Sequence, residues 1–244
     1  MVICIIGKTN SGKDTVANYL SKKYGIELVC SYTTRPPRDY ETDGVQHHFI
    51  SDEKMDEILE KETVLAFTEN EKTGVRYCAS LESIEGENCI YIINPEGIKW
   101  MKNAYPQLDI FGIYVHSSET DISNRSEKRG DKKEDFEKRI ESEREEFDSY
   151  FQSGDWDFCI YNYKDLDYLL EMADTCYTAT LKPRIEFVSA YNKCFYPNGE
   201  MKACGREACK DLLDVVNKYY DGDFGDIQTG KLATKEIIKL RGKL

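Results

Sequence analysis

Three observations predict an α/β fold built on a parallel sheet. Short apolar runs alternate with helix-length amphipathic stretches as far as Ala173, the rhythm of parallel strands joined by crossover helices. The first apolar run passes straight into a glycine-rich turn and then a helical pattern, Gly7-Lys8-Thr9-Asn10-Ser11-Gly12-Lys13-Asp14-Thr15. The 244 residues, 40% apolar and 12% aromatic, suffice for one packed domain with a small appendage.

Taken in order, the core strands are expected at Val2–Ile6, Ile26–Ser31, Cys89–Ile93, Ile110–Val115 and Phe158–Tyr161, each a short β-rich run bounded by turn or charged residues. Helices are expected at about Gly12–Lys22, Asp52–Lys61, Asp121–Arg129, Lys133–Phe151 and Asp165–Ala173. The block from Ser31 to Tyr77 interrupts the alternation with turn residues, a short helix and the apolar run Val64–Phe67, as an inserted subdomain would. Residues 1–176 are read as the main domain. The motif Lys182-Pro183-Arg184 marks entry into a separate segment, residues 177–244, with one helix at about Arg206–Tyr219. In that tail Tyr191, Phe195, Tyr196, Tyr219 and Tyr220 read as a small core or docking face, and Lys235 to Lys243 as a solvated helix face.

The net charge of −12 is uneven: residues 177–244 carry 12 Lys and Arg against 9 Asp and Glu, leaving 21 against 36 in residues 1–176. A main domain this acidic argues against a broad nucleic-acid surface, so any anion site must be built from a few placed arginines and lysines. No apolar stretch approaches the roughly 18 residues of a membrane span, and a cytoplasmic protein without a membrane or nucleic-acid partner is expected. The nine cysteines are odd in number and scattered, with Cys4, Cys89 and Cys159 inside predicted strands, so reduced thiols are expected. Cys194, Cys204 and Cys209 form the tightest group, but they lack a CxxC pair and the tail has no histidine, so they read as small core residues.

The glycine-rich turn carries chemistry because of where it lies. Between a strand and a helix, glycines let successive N–H groups and the helix N-terminus converge on phosphate oxygens, while Lys13 brings a full charge to the β and γ phosphates. Asp14 stands where Ser or Thr follows the lysine in the usual pattern. A carboxylate beside a triphosphate is repulsive unless a cation lies between, so Asp14 either ligates Mg²⁺ or turns away, and Thr15 can reach the α-phosphate. Next comes Ser31-Tyr32-Thr33-Thr34-Arg35-Pro36-Pro37-Arg38, with Glu41, Gly44 and His47-His48-Phe49 following. Two forked guanidiniums three residues apart, stiffened by prolines, are suited to one phosphate. The charge-rich stretch Ser118–Glu146 reads on pattern alone as a solvated helical hairpin.

With these blocks in this order, joined by Tyr77, Arg125 to Gly130, Arg139 and Asn162, residues 2 to 173 resemble the guanylate kinase family. The resemblance implies a P-loop NTPase core with an inserted monophosphate-binding subdomain and a helical lid. ATP would be held by Gly7, Asn10, Ser11, Gly12, Lys13, Asp14 and Thr15, with Arg125 and Arg129 from the lid. Arg35 and Arg38 would clamp the acceptor phosphate with Tyr77, and Ser31 would face the base. Lys13, Mg²⁺, Arg129 and Arg139 would share the transferring phosphoryl group, catalysis arising from positioning and charge neutralisation.

The same alignment shows departures. The family's phosphate-contacting tyrosine falls on His47, its guanine-reading glutamate on Ala66, and a hydroxyl-bearing residue on Ala79. Its strand-end acids fall on Ile92 and Asn94. Asn94 and His47 are retained as acceptor-site candidates, and base discrimination weaker than the family's is expected, with Glu69 the one acid able to swing into the place left by Ala66. Two alternatives stand beside a GMP or dGMP kinase. One is a ribose 1,5-bisphosphate phosphokinase, whose P-loop also reads GKD. The other is a non-catalytic phosphopeptide-binding module, against which the intact Lys13 and lid arginines argue.

Overall fold

The computed structural model describes residues 1–38, 41–70, 73–84, 88–194 and 206–219. The chain divides into two compact units, Met1–Ala173 and Asp174–Leu244.

The first unit is built on five parallel strands: β1 (Val2–Ile6), β2 (Glu27–Leu28), β7 (Cys89–Ile92), β8 (Ile110–His116) and β9 (Phe158–Tyr161). Their order across the sheet is β2-β7-β1-β8-β9. Every residue of β1 is buried, as the central strand of a sheet covered on both faces requires. Its register places Cys4 between Tyr91 and Gly112. The connection after β1 leads through α1 (Lys13–Tyr24) to one side of the sheet, and the connection after β7 leads through α3 (Pro95–Ala104) to β8 on the other side. A crevice therefore opens at the carboxyl ends of the strands, where ligands of open α/β sheets bind.

A second sheet is formed by β3 (Ser31–Thr33), β4 (His47–Phe49), β5 (Val64–Glu69) and β6 (Arg76–Ser80), in the order β4-β3-β6-β5. This corrects the single strand expected at Ile26–Ser31. Val29 donates its N–H to Ile90 O at the end of β2, and the chain then leaves the parallel sheet so that Ser31 begins the second one. Helix α2 (Asp52–Lys61) covers one face of that sheet through Met55 and Ile58, which pack with Cys78, Tyr32, Val64 and Phe67. Burying two such side chains contributes about 1.5–3 kcal/mol each. The Ser51 hydroxyl, accepting from Lys54 N–H at 3.3 Å, caps its start.

Helix α3 was not expected from the sequence pattern. Its start carries the usual signal, Asn94 capping Gly97 N–H at 3.0 Å and Pro95 in the first turn, and Ile98 and Met101 anchor it in the core. The charged stretch forms α4 (Glu119–Arg129) and α5 (Lys133–Ser153), and α6 (Leu166–Cys176) follows β9.

In the second unit, a π-helical turn at Tyr177–Leu181 precedes α7 (Lys182–Cys194), and α8 spans Arg206–Tyr219. Lys182, Pro183 and Arg184 therefore mark no break: helical backbone runs from the π turn into α7, with Lys182 N–H bonded back to Tyr177 O, and the widened turn sits just where the proline N–H is missing. Phe187, Ala190, Cys194, Leu212 and Val216 form a small core, with Tyr191 and Tyr219 packed against it. Phe195, Tyr196, Cys204, Tyr220 and Lys235 to Lys243 lie outside the described residues. Among the described residues seven cysteines, Cys4, Cys89 and Cys159 included, are free thiols. No helix among the described residues is long and apolar enough to cross a membrane.

Candidate active site

The glycine-rich turn leaves β1 in a space that admits no side chain. A Cβ on Gly7 would lie 2.6 Å from both Ser11 Oγ and Val115 O. Gly12 has φ +98°, and a Cβ there would meet Asn162 Nδ2 at 2.6 Å. Asn162, just beyond β9, donates through that Nδ2 to Ser11 O at 2.7 Å, and Ser117 Oγ donates to the same carbonyl at 3.2 Å. With the Ser11 carbonyl held from outside, the Gly12 N–H on the same planar peptide points the other way. Gly12 caps α1 without a side-chain hydrogen bond, so the first-turn amides of α1 keep their donors for an anion. Lys13 Nζ sits 3.4 Å from Lys8 O and 3.7 Å from Asp14 Oδ2. Lys13 in turn is the main cause that holds the Asp14 carboxyl below its ordinary range, with Arg129 and Arg38 adding to it. Thr15 is exposed at the start of α1.

Three arginines of the charged hairpin reach this loop. Arg125 donates to Asn10 O at 3.1 Å, Ser117 Oγ at 2.8 Å and Asn162 O at 2.9 Å, and burial lowers its pKa. Arg129 donates to Asn10 Oδ1 at 2.6 Å and Arg139 to Thr9 Oγ1 at 3.4 Å. The hairpin is therefore no merely solvated face. It also brings acids that the sequence pattern did not single out. Glu143, one turn beyond Arg139 on α5, accepts from the Thr9 backbone N–H at 2.7 Å. Lys8, buried within the loop, pairs with Asp148 at 2.6 Å and Glu119 at 3.6 Å, so its charge is turned away from Lys13's neighbourhood toward the hairpin. The i,i+4 spacing of Arg139 and Glu143 on one helix face is the signal that could have revealed the grip on Thr9.

The second sheet supplies the other cluster. Paired residues of neighbouring strands share a face, and the registers Ser31 with His47, Thr33 with Tyr77 and Phe49, Thr68 with Tyr77, and Ala66 with Ala79 place all of these on the face opposite α2. Arg35 makes a bidentate pair with Glu41 at 2.6 and 2.7 Å, while its Nε is buried without a partner. Glu41 also accepts from Arg38 N–H at 2.9 Å and lies 3.4 Å from the Arg38 guanidinium. Burial alone would raise the Glu41 pKa, but these hydrogen bonds outweigh it and hold the group at about 2. The carboxylate thus fixes both guanidiniums in place. His47 Nδ1 lies 2.8 Å from Ser31 Oγ, and its ring meets Tyr77 and Phe49 edge-on, each at 5.9 Å. Burial first, then Arg35, pushes the His47 pKa down to about 4.

The sequence-predicted residues thus fall into two groups, Gly7 to Thr15 with Arg125, Arg129 and Arg139, and Ser31, Arg35, Arg38, His47 and Tyr77. Asn94 is employed otherwise, its carboxamide oxygen capping α3. Ala66 and Ala79 are buried in the main core beside Tyr91 and Ile93. Glu69 does not approach them: its register partner is Arg76, on the α2 face of the sheet, one residue out of phase with Thr68 and Tyr77.

The family model for guanylate kinase matches residues 1–177. The guanylate kinase of Clostridioides difficile (strain 630) is 32% identical over 167 residues, 66% of this chain and 80% of the relative. That of Neisseria gonorrhoeae (strain ATCC 700825 / FA 1090) is 30% identical over 169 residues, 66% and 79% of the two chains. A crystal structure of guanylate kinase from Anaplasma phagocytophilum superposes with a TM-score of 0.53 at 21% identity, covering 71% of this chain and 80% of that one, a likeness of fold. The chain belongs to the guanylate kinase family.

Proposed function

We propose that this chain is an ATP-dependent nucleoside monophosphate kinase, with GMP or dGMP the principal acceptors and guanine read less sharply than in its relatives. The observation that carries this reading is two anion-ready clusters in one unit, the uncapped head of α1 with Lys13 beside Asp14 and the Arg35–Arg38 pair held by Glu41, with Asp14 within electrostatic reach of Arg38. A donor phosphate on the α1 amides and an acceptor phosphate between Arg35 and Arg38 would then be neighbours. Direct transfer requires that arrangement.

The residues fit a nucleotide-borne Mg²⁺. Asp14 offers one ionised carboxylate, and no group of three metal-ligating side chains occurs among the described residues. That donor set suits an ion that brings water and phosphate oxygens with it. Asp14 would hold it, and it would supply neutralisation of the triphosphate, while Thr15 is assigned to the α-phosphate. The remaining work belongs to the chain: Lys13 at the β and γ phosphates, Arg129 and Arg139 moving from their neutral P-loop partners onto the phosphoryl group, and the hairpin keeping water out.

We assign this activity to residues 1–176, with residues 177–244 a separate small domain outside the chemistry. A chain ending at Ala173 should fold, bind ATP and transfer phosphate; folding and binding without transfer would move the boundary. The activity itself is tested by an ADP-coupled assay of purified protein against all ribo- and deoxynucleoside monophosphates and ribose 1,5-bisphosphate. Turnover of a nucleoside monophosphate supports the reading. Turnover of the sugar bisphosphate alone, or acceptor binding with no turnover, would replace it with one of the two alternatives.

A further inference from the structure

The acceptor cluster contains one ionisable group whose environment reverses when a phosphate arrives. The β3–β4 register sets His47 opposite Ser31, and their side chains meet at 2.8 Å. Phe49, on the same face two residues along, carries the Arg35 guanidinium over its ring at 5.3 Å. His47 and Arg35 therefore both meet one aromatic side chain, and Tyr77 also meets the imidazole edge-on.

The charged and titratable groups facing the ring can be named element by element. Arg35, Arg38 and Glu41 come from the loop between β3 and β4, Tyr77 from β6 and Asp14 from α1. The two guanidiniums against Glu41 leave this clamp with a formal charge of +1. Asp14 belongs to the neighbouring cluster and is already paired with Lys13. In the free protein the ring is thus half-buried beside net positive charge, and it stays neutral. A phosphate dianion entering between Arg35 and Arg38 would change the clamp from +1 to −1 in formal charge.

We propose that His47 joins Arg35 and Arg38 as a third donor to the acceptor's phosphate, and that it takes up one proton from solvent as that phosphate binds. This rests on the acceptor site assigned under the proposed function. Ser31 makes the change of charge possible without a broken contact. Its hydroxyl donates to Nδ1 or accepts from it according to the ring's state, so in the imidazolium Nδ1–H donates to Ser31 while Nε2–H is left for a phosphate oxygen. A short, charge-assisted hydrogen bond then replaces a neutral one. The direction of the linkage follows. The depressed pKa of about 4 in the free protein rises in the complex, so binding absorbs protons, and the His47 contribution to acceptor affinity weakens as pH rises toward and through the pKa of the complex.

The test is calorimetric titration of the full chain with GMP, without ATP, at pH 6.5 and 7.5 in buffers of different ionisation enthalpy. Wild type, His47→Gln and His47→Tyr are compared, the fold of each confirmed by circular dichroism. Comparing variants cancels the protons that GMP itself exchanges. Wild type should absorb roughly half a proton to one proton more per GMP bound than either variant, and His47→Gln should bind GMP about ten-fold more weakly at pH 6.5, the defect narrowing at pH 7.5. Equal proton uptake in wild type and His47→Gln, with GMP bound by both, overturns the proposal while leaving the acceptor site in place. Absence of GMP binding to a folded wild type would remove the acceptor site and the proposal together.

Discussion

The P-loop with its hairpin and the second sheet with its arginine clamp handle phosphate in different ways. Around the P-loop the contacts are numerous and mostly between backbone and side chain. The Ser11 carbonyl alone is held by Asn162 and Ser117, and Thr9 and Asn10 are gripped by Arg139, Glu143, Arg125 and Arg129. In the second sheet one buried carboxylate, Glu41, orders both arginines, and the residues beyond the clamp are His47, Ala66 and Ala79. On our proposed reading the difference teaches that the clamping arginines and Lys13 answer to a charge every substrate shares, whereas the wall we assign to the base is free to change.

The sharpest way to break the comparison is to remove one cation from each half. Lys13→Ala and Arg38→Ala should each lower kcat/KM by at least about 100-fold, because each deletes a charge-assisted contact to a phosphate. Steady-state kinetics on variants shown to be folded decides it, and near-wild-type turnover in either would remove that residue from the site. Gly12→Ala acts on the P-loop half alone. The left-handed backbone and the approach of Asn162 Nδ2 should together cost about 2 kcal/mol or more in urea unfolding and weaken ATP binding; unchanged stability would mean that the loop is softer than its geometry implies.

A smaller effect is expected at Glu143. Its alanine variant should lose about ten-fold in kcat with acceptor KM nearly unchanged, as Thr9, which also meets Arg139, loses the carboxylate that holds its N–H, and Glu143→Gln, which still accepts the Thr9 N–H, should stay within about three-fold of wild type. Equal losses in both variants would point to the charge and not the hydrogen bond.

The second sheet should also show itself in the pH dependence of stability. Both shifted groups bind fewer protons folded than unfolded, so both favour the fold at higher pH. The His47 contribution is complete above its ordinary value of 6.5 and is lost as pH falls to about 4. That of Glu41 is complete above 4.5 and is lost as pH falls toward 2. Thermal midpoints of wild type should therefore begin to fall below about pH 6.5, and His47→Gln should flatten the upper part of that decline only. A parallel decline in the variant would place the titrating group elsewhere.

The phosphate-handling parts were legible in the sequence because they combine glycine, lysine and paired arginine in a strand-to-helix setting, a combination that packing alone does not require. Val2–Ile6, Asp52–Lys61 and Phe158–Tyr161 were legible to the residue, since each combines a clear period with sharp boundaries. Helix α3 was not. Its 10 residues are interrupted by a glycine, where a Cβ would lie 2.8 Å from Ile93 Cγ1 and 2.9 Å from Asn94 Oδ1, a crowding by the turn just before it that the hydrophobic period does not announce. The switch of sheets between Leu28 and Ser31 was likewise hidden, because both halves of that run are equally apolar. Glu143 lay within a stretch whose pattern reads as solvated helix charge and Asp148 was not singled out, and only folding shows that they face Thr9 and Lys8.

The central claim of our reading, that the base-reading carboxylate is gone while Lys13 and the arginine clamp remain, is tested most directly by kcat/KM for GMP, dGMP, AMP and dTMP in wild type and Glu69→Ala. An unpaired buried donor costs about 1–3 kcal/mol, so guanine should be preferred roughly one to two orders of magnitude less than a site with its carboxylate would allow. Since Glu69 lies across the sheet from Tyr77, its removal should leave the ranking of acceptors unchanged. The account predicts measurable turnover of a second base at a GMP preference below about 1,000-fold. A preference above that in wild type, or one that collapses in Glu69→Ala, would contradict it.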